Sequence, residues 1–287
     1  MTVAYNTQNA AFPASRAIPS LWFSANPDRA WAEKFFLVYS PIWMALMGIM
    51  MLTGGTRSCS DLQLLAHGLL VAAPLLLVPA MLHKRYSPSV HWRDSYWLKA
   101  NLYMALFGFF GNYFGSEYFF DVLGMVYNMP NATTTLDATL VGSGHQKVPV
   151  IMYLYTHAYF MTYHTTAVMV LRRIMHSGLP LRRLAFMPVV LLVGYAWAWM
   201  ETRAMANPLM TNTFYYENMP AMLAYGSLIY STYFVASFPI FYFMDEAKTP
   251  AGTSQRWTLW QTAAAGLSAS MLTFYLLDLC AHSVGKL

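Results

Sequence analysis

The sequence predicts an all-α, polytopic membrane protein with about seven transmembrane helices and a cytoplasmic N-terminus. A deficit of charge, a series of apolar runs of bilayer length, and an uneven distribution of basic residues between those runs carry that prediction. Hydrophobic residues make up 57% of the 287 residues and charged residues 10%, against roughly 25% charged in an ordinary soluble domain. A soluble fold of this size covers itself with charge. Here the charges sit in short stretches between apolar runs, as a lipid solvent requires.

Runs of about 20 residues, enough to cross a hydrocarbon core, begin near Phe35, Leu62, Trp97, Val148, Leu184, Met222 and Thr258. They end near Thr53, Leu82, Tyr118, Arg172, Ala204, Met244 and Ala281. Breaker-rich stretches separate them, such as SPSVHWRD before the third and HSGLPLRR before the fifth. Pro74, Pro79 and Pro239 fall inside the runs and predict bends. A polar N-terminal segment, residues 1–30, carries Pro13 and Pro19 and lacks the apolar stretch of a signal peptide. The membrane domain is expected over residues 31–283, with no soluble domain and no internal repeat.

Seven alternating crossings place thirteen basic residues on one side: Arg16, Arg29, Lys34, Lys84, Arg85, Arg93, Lys99, Arg172, Arg173, Arg182, Arg183, Lys248 and Arg256. Four remain on the other: Arg57, Lys147, Arg203 and Lys286. This bias predicts that the richer side is cytoplasmic. Trp31, Trp92, Trp97, Trp257 and Trp260 lie near the same ends, as interfacial anchors do. The net charge of +5 therefore favours orientation and anionic headgroups, and no nucleic-acid partner is expected. Cys59 and Cys280 are too few for a disulfide framework or a cysteine-rich metal site and are expected to be packing residues.

An ionisable residue on a membrane helix costs roughly 2.5–3.5 kcal/mol on insertion scales, so each one is a candidate for function. The candidates are Glu117, His157, His164, Glu201 and Asp278, with Asn101 and Asn112 as uncharged partners. From the helical rise, Asn112 and His157 lie roughly 22 Å from the cytoplasmic end of their spans and Glu201 roughly 25 Å, which places them in one layer. Glu117 and Asp278 fall near the far interface, where water is accessible. His157 and His164 are two turns apart and share a face with Tyr153, Phe160 and Met161. For the two histidines, interhelical hydrogen bonding stands against a catalytic or substrate-contacting role. For Glu201, a surface carboxylate or an ion pair with Arg203 stands against an acid in a dry site beside Trp197 and Trp199. Gly111 and Gly115 form a GxxxG expected to let the third span pack closely. The Gly142-Ser143-Gly144 stretch lacks the strand and helix of a phosphate loop. No metal site is expected, since a seven-residue spacing is not a zinc-helix ligand pair.

In order along the chain, SLWFSANPDRAWAEKFFLVYSPIW, DSYWLKANLY, GNYFGSEYFFDVLG, THAYFMTYHTTAVMVLRR, METRAMAN followed by FYYE, and VASFPIFYFMDE resemble the successive motifs of the cycloeucalenol cycloisomerase family. The resemblance spans roughly Ser20 to Asp278. It departs from the pattern before Ser20, in the Asn131 to Lys147 loop, and between Asn207 and Phe214. The resemblance implies a cofactor-free sterol isomerase of internal membranes, the endoplasmic reticulum in a eukaryote, with membrane lipids and a sterol as its partners. The implied reaction opens the 9β,19-cyclopropane of cycloeucalenol or a related sterol to the Δ8 sterol obtusifoliol. It needs an acid to protonate C19, stabilisation of positive charge near C9, and a base to take the C8 proton.

An acid for so poor an acceptor must be held protonated in a dry pocket, and Glu201 fits best. His157 or His164 is the expected base. Trp197, Tyr113 and Phe160 supply aromatic faces for the cation, and Asn101, Asn112 and Glu117 complete the expected substrate contacts. The rival reading is a transporter or lipid-binding membrane protein that uses the same polar residues. An odd number of spans and the lack of paired broken helices count against it.

Overall fold

Asn26 sets the first helix start: its side chain accepts from the Asp28 backbone N–H at 3.2 Å, and Pro27 follows at the position where a missing donor costs nothing. In the computed structural model, which describes residues 22–247 and 255–285, helix α1 then runs over Pro27–Leu52. The short α2 (Gly55–Ser58) leads to α3 (Asp61–Ala72), opened by a capping box of Ser60 and Gln63. Helix α4 (Pro74–Tyr86) continues the same pass, and the join falls at Pro74, one of the prolines expected to interrupt a span. Then come α5 (Tyr96–Tyr113), α6 (Gly115–Asp121), α7 (Val150–Met175) and α8 (Arg182–Met205). The sixth pass starts with α9 (Met219–Ala221), widens into a π-helical turn over Met222–Gly226 and continues as α10 (Ser227–Phe243). The last is α11 (Leu259–Val284), capped by Thr258 and Gln261.

Five of these passes are long and apolar enough to cross a membrane: α1, α3 with α4, α8, Met219–Phe243 and α11. The two that fall short are α5, which carries Lys99, Asn101 and Asn112, and α7, which carries His157, His164, Arg172 and Arg173. Helix α7 packs against α1, α3, α5, α8 and α10, so its neighbours rather than lipid are its solvent. A central helix of this kind is released from the requirement of uniform hydrophobicity and can hold His157, His164 and a series of threonines.

Two short strands lie outside the all-α expectation. β1 (Met125–Tyr127) pairs antiparallel with β2 (Phe214–Tyr216), in the register Met125 to Tyr216 and Tyr127 to Phe214. They join the loops after α6 and after α8. The Asn131 to Lys147 loop is tied down by Asp61, whose carboxylate accepts from the Thr133 and Thr134 backbone at 2.9 and 3.1 Å. Gly111 and Gly115 hold a side chain rather than a neighbouring backbone. A Cβ on Gly115 would collide with the Tyr233 hydroxyl, which donates to the Gly111 carbonyl at 3.0 Å.

At the opposite end of the bundle, several residues counted as headgroup-facing bases are buried in ion pairs. Arg172 reaches Glu33 at 2.6 Å and Glu246 at 2.8 Å with one terminal nitrogen. Arg29 joins the same carboxylates, 2.8 Å from Glu33 and 3.1 Å from Glu246, and donates to the carbonyls of Tyr242 and Met244 that end α10. Lys99 meets Asp245 at 2.6 Å, and the same aspartate accepts from the Trp257 N–H. This network corrects the reading of Arg29, Lys99 and Arg172 as interfacial charges. It also joins the start of α1, the start of α5, the end of α7 and the end of α10, the pattern of antiparallel passes. Asp28 and Arg29, assigned by sequence to the polar N-terminal segment, are buried with the bundle. Trp97 is no interfacial anchor either: it is buried and donates to His83 Nδ1 at 3.2 Å. Arg16, Lys248 and Lys286 lie outside the described residues.

Candidate active site

Away from the ionic end, α1, α5, α7, α8 and α10 enclose a cavity of about 390 Å³, within the range of small-molecule sites. The strand pair closes it. Met125 and Tyr127 on β1, with Phe214 and Tyr216 on β2, line the cavity, while Val126 and Tyr215 alternate away from it. This is the two-residue period of a strand put to use as a lid. The wall is apolar and adaptable, with methionines from α1, α7, α8 and the loops.

Glu201 is the only carboxyl on this wall among the described residues, and no imidazole, amine or guanidinium joins it there. The Tyr230 hydroxyl donates to its Oε2 at 2.5 Å, and Tyr163 lies beside the carboxyl on the same wall. Tyr163 is stacked on Trp197, with ring centroids 4.3 Å apart and planes at 21°. The carboxyl therefore sits in an aromatic corner built by α7, α8 and α10. It has no ion pair to Arg203, whose guanidinium lies over the Trp199 ring 5.6 Å from its centre. A second polar chain runs along the wall: Asn112 donates to Thr156 Oγ1 at 2.8 Å, and Thr156 meets the Tyr159 hydroxyl at 2.8 Å.

Of the residues expected at the site, Glu201, Asn112, Phe160 and Trp197 line the cavity together. His157 and His164 do not. They share a face, as their spacing predicts, but it is turned to α5 and α10. His157 Nε2 donates to Asn101 Oδ1 at 2.8 Å, and the Asn101 amide donates to the Leu75 and Trp97 carbonyls. His164 Nδ1 donates to the Phe160 carbonyl, leaving Nε2 to accept from the Ser237 hydroxyl, both at 2.8 Å. Both of its nitrogens are occupied, in a cage that includes Tyr103, Phe107, Phe238 and Phe241. Counting rise along each helix does not place Asn101 beside His157; the packing of α5 on α7 does.

Tyr113 stacks on Phe109 outside the cavity. Glu117 is buried beneath the Gly142 to Gly144 loop and is also not on the wall. Asp278 is exposed and accepts from the Tyr118 hydroxyl at 2.9 Å. Sequence reasoning missed the tyrosines. Tyr230 holds the carboxyl, Tyr163 lies beside it, and Tyr159 and Tyr233 help to line the space. The available signal was the regular recurrence of tyrosine on α7 and α10, at 159 and 163 and at 230 and 233. Among the described residues, no group of three histidine, cysteine, aspartate or glutamate side chains comes together as a metal site.

No protein-family model and no solved structure matches the chain. A curated relative does: the cycloeucalenol cycloisomerase of Arabidopsis thaliana is 36% identical over 269 residues, which cover 91% of this chain and 88% of the relative. On that likeness, the chain belongs to the cycloeucalenol cycloisomerase family.

Proposed function

We propose that this protein is a membrane-embedded sterol isomerase that opens the 9β,19-cyclopropane ring of cycloeucalenol or a close relative, with Glu201 as the proton donor. One observation carries the reading: in a member of this family, the wall of a cavity of small-molecule size bears a single carboxyl, the Asn112 amide and otherwise apolar, aromatic and hydroxyl groups. An acid acting on a strained carbon–carbon bond needs a place that water does not level.

In this mechanism the electron pair of the C9–C19 bond takes the proton of Glu201, which makes the C19 methyl and leaves a cation at C9. The C8–H pair then becomes the C8–C9 double bond as the C8 proton leaves. C8 and C19 are both bonded to C9, so the two transfers occur at neighbouring positions. The carboxylate left on Glu201 is the nearest base and regains a proton, completing a net isomerisation. This replaces the two histidines as base, because one is saturated by hydrogen bonds and the other is turned to Asn101. Tyr230 steadies the carboxylate while it is charged. The faces of Trp197 and Phe160 are suited to a cation that must not be captured by a nucleophile. No cofactor enters the scheme.

The same proposal includes seven crossings, a cytoplasmic N-terminus, a membrane domain over residues 31–283 and residence in the endoplasmic reticulum of a eukaryote. The five apolar passes and the antiparallel arrangement of helix ends support it. The test is conversion of cycloeucalenol by purified protein in vesicles made with deuterated water, followed by mass spectrometry. The expected product is obtusifoliol with deuterium in the C19 methyl. Unchanged sterol would favour the transporter reading, and deuterium at another carbon would refute the protonation step.

A further inference from the structure

The cavity wall has two edges that are also part of the outer surface of the bundle. On α1, Trp43, Met47 and Met51 point inward at successive turns, while Met44, Gly48 and Leu52, one residue on, form a stripe along the rim. On α8, Trp197, Glu201 and Met205 point inward, and Met200 and Ala204 form the facing rim. Both helices pack on α7, through the Trp43 to Thr162 hydrogen bond at 2.9 Å and the Tyr163 to Trp197 stack. Thr162 and Tyr163 are consecutive, so α7 forms the floor between the two rims.

Exposure shows that this gap reaches the outside. Deep wall residues have almost none, 7% for Met47 and 2% for Phe160, although they face the cavity. The rim residues Met44, Leu52 and Met200 are 42%, 62% and 43% exposed while lining the same cavity. Cavity surface alone does not produce such values. A Cβ built on Gly48 meets nothing within 4 Å, so the rim is open at that point. No rim residue is charged. The flanking outer residues Ile42, Ile49, Leu192 and Tyr195 are large and exposed, as lipid-facing groups are.

We infer that the gap between α1 and α8 is a lateral portal through which the sterol passes between the bilayer and the cavity, and that Gly48 keeps it open. The inference rests on the sterol reading above. A sterol is held in the hydrocarbon layer, and a side opening at that level spares it a passage through water. The portal is continuous with the corner that holds Glu201, so a molecule entering between Gly48 and Ala204 arrives at the carboxyl directly.

The experiment uses the full chain in phosphatidylcholine vesicles with Gly48→Cys or Ile49→Cys. Each is treated with a benzyl methanethiosulfonate, which dithiothreitol removes, and the wild type treated alike controls for Cys59 and Cys280. Uptake and release of tritiated cycloeucalenol are followed together with equilibrium binding, and neither requires turnover. Labelling Gly48→Cys is expected to slow uptake and release together by an order of magnitude or more with binding retained, and thiol reduction restores both. Labelling Ile49→Cys, one residue away on the outer face, is expected to leave exchange unchanged.

Exchange at the unlabelled rate in labelled Gly48→Cys would overturn the portal. So would equal slowing from Ile49→Cys, loss of equilibrium binding in place of slowed exchange, or a change of oligomer size showing that a second copy covers the gap. Failure of the unlabelled protein to make obtusifoliol would count against the proposed reaction, while the exchange measurement still decides the portal.

Discussion

Replacing Glu201 by glutamine separates chemistry from architecture. The amide keeps the shape of the side chain and one carbonyl oxygen, which still accepts from the Tyr230 hydroxyl now 2.5 Å from the carboxyl. The loss of folding stability is therefore about 1 kcal/mol, the worth of one weakened hydrogen bond. The chemical loss is larger. General acids contribute on the order of 10²–10⁴ in rate, and the cavity wall bears no second carboxyl or imidazole to substitute. A fall of roughly 10³ corresponds to about 4 kcal/mol on the barrier. Single-turnover conversion of cycloeucalenol in proteoliposomes measures the rate, and equilibrium sterol binding on the same preparation checks the site. Retention of about a tenth or more of wild-type turnover would refute Glu201 as the donor and send the search to groups outside this wall.

Arg172→Met leaves the two carboxylates of Glu33 and Glu246 with Arg29 as the one cation between them, and loss of one member of a buried ionic network typically costs about 3–5 kcal/mol. Thermal unfolding in detergent should shift sharply downward, and an unchanged midpoint would show that the network is not supporting the bundle. His164→Ala removes a caged ring and two hydrogen bonds, about 2–4 kcal/mol. It should lower stability while the protein that remains folded keeps its turnover number. Abolished turnover at normal stability would return His164 to the chemistry. Tags at Met1 and Leu287 should differ in protease accessibility in sealed vesicles, since an odd number of crossings puts them on opposite sides. Equal protection would exclude seven.

The sequence by itself determined the helical class of fold and five helices long and apolar enough to cross a membrane, because the bilayer imposes a length and a hydrophobicity that can be counted residue by residue. It also pointed to Glu201 with Trp197, Phe160 and Asn112, since a carboxyl on an apolar helix is conspicuous wherever it points. Three features depended on which way side chains face around tilted helices, and only the tertiary structure decided those. His157 and His164 have the spacing of a polar stripe, yet the stripe serves the contacts of α7 with α5 and α10. Arg29, Lys99 and Arg172 look like interfacial charges, but their carboxylate partners come from segments up to 217 residues away, as Arg29 with Glu246. The tyrosines around Glu201 are ordinary members of apolar helices until three of those helices converge. A hydrophobic count measures what each helix offers to its surroundings as a whole. The direction of one side chain depends on the rotation and tilt that all the neighbouring helices set together.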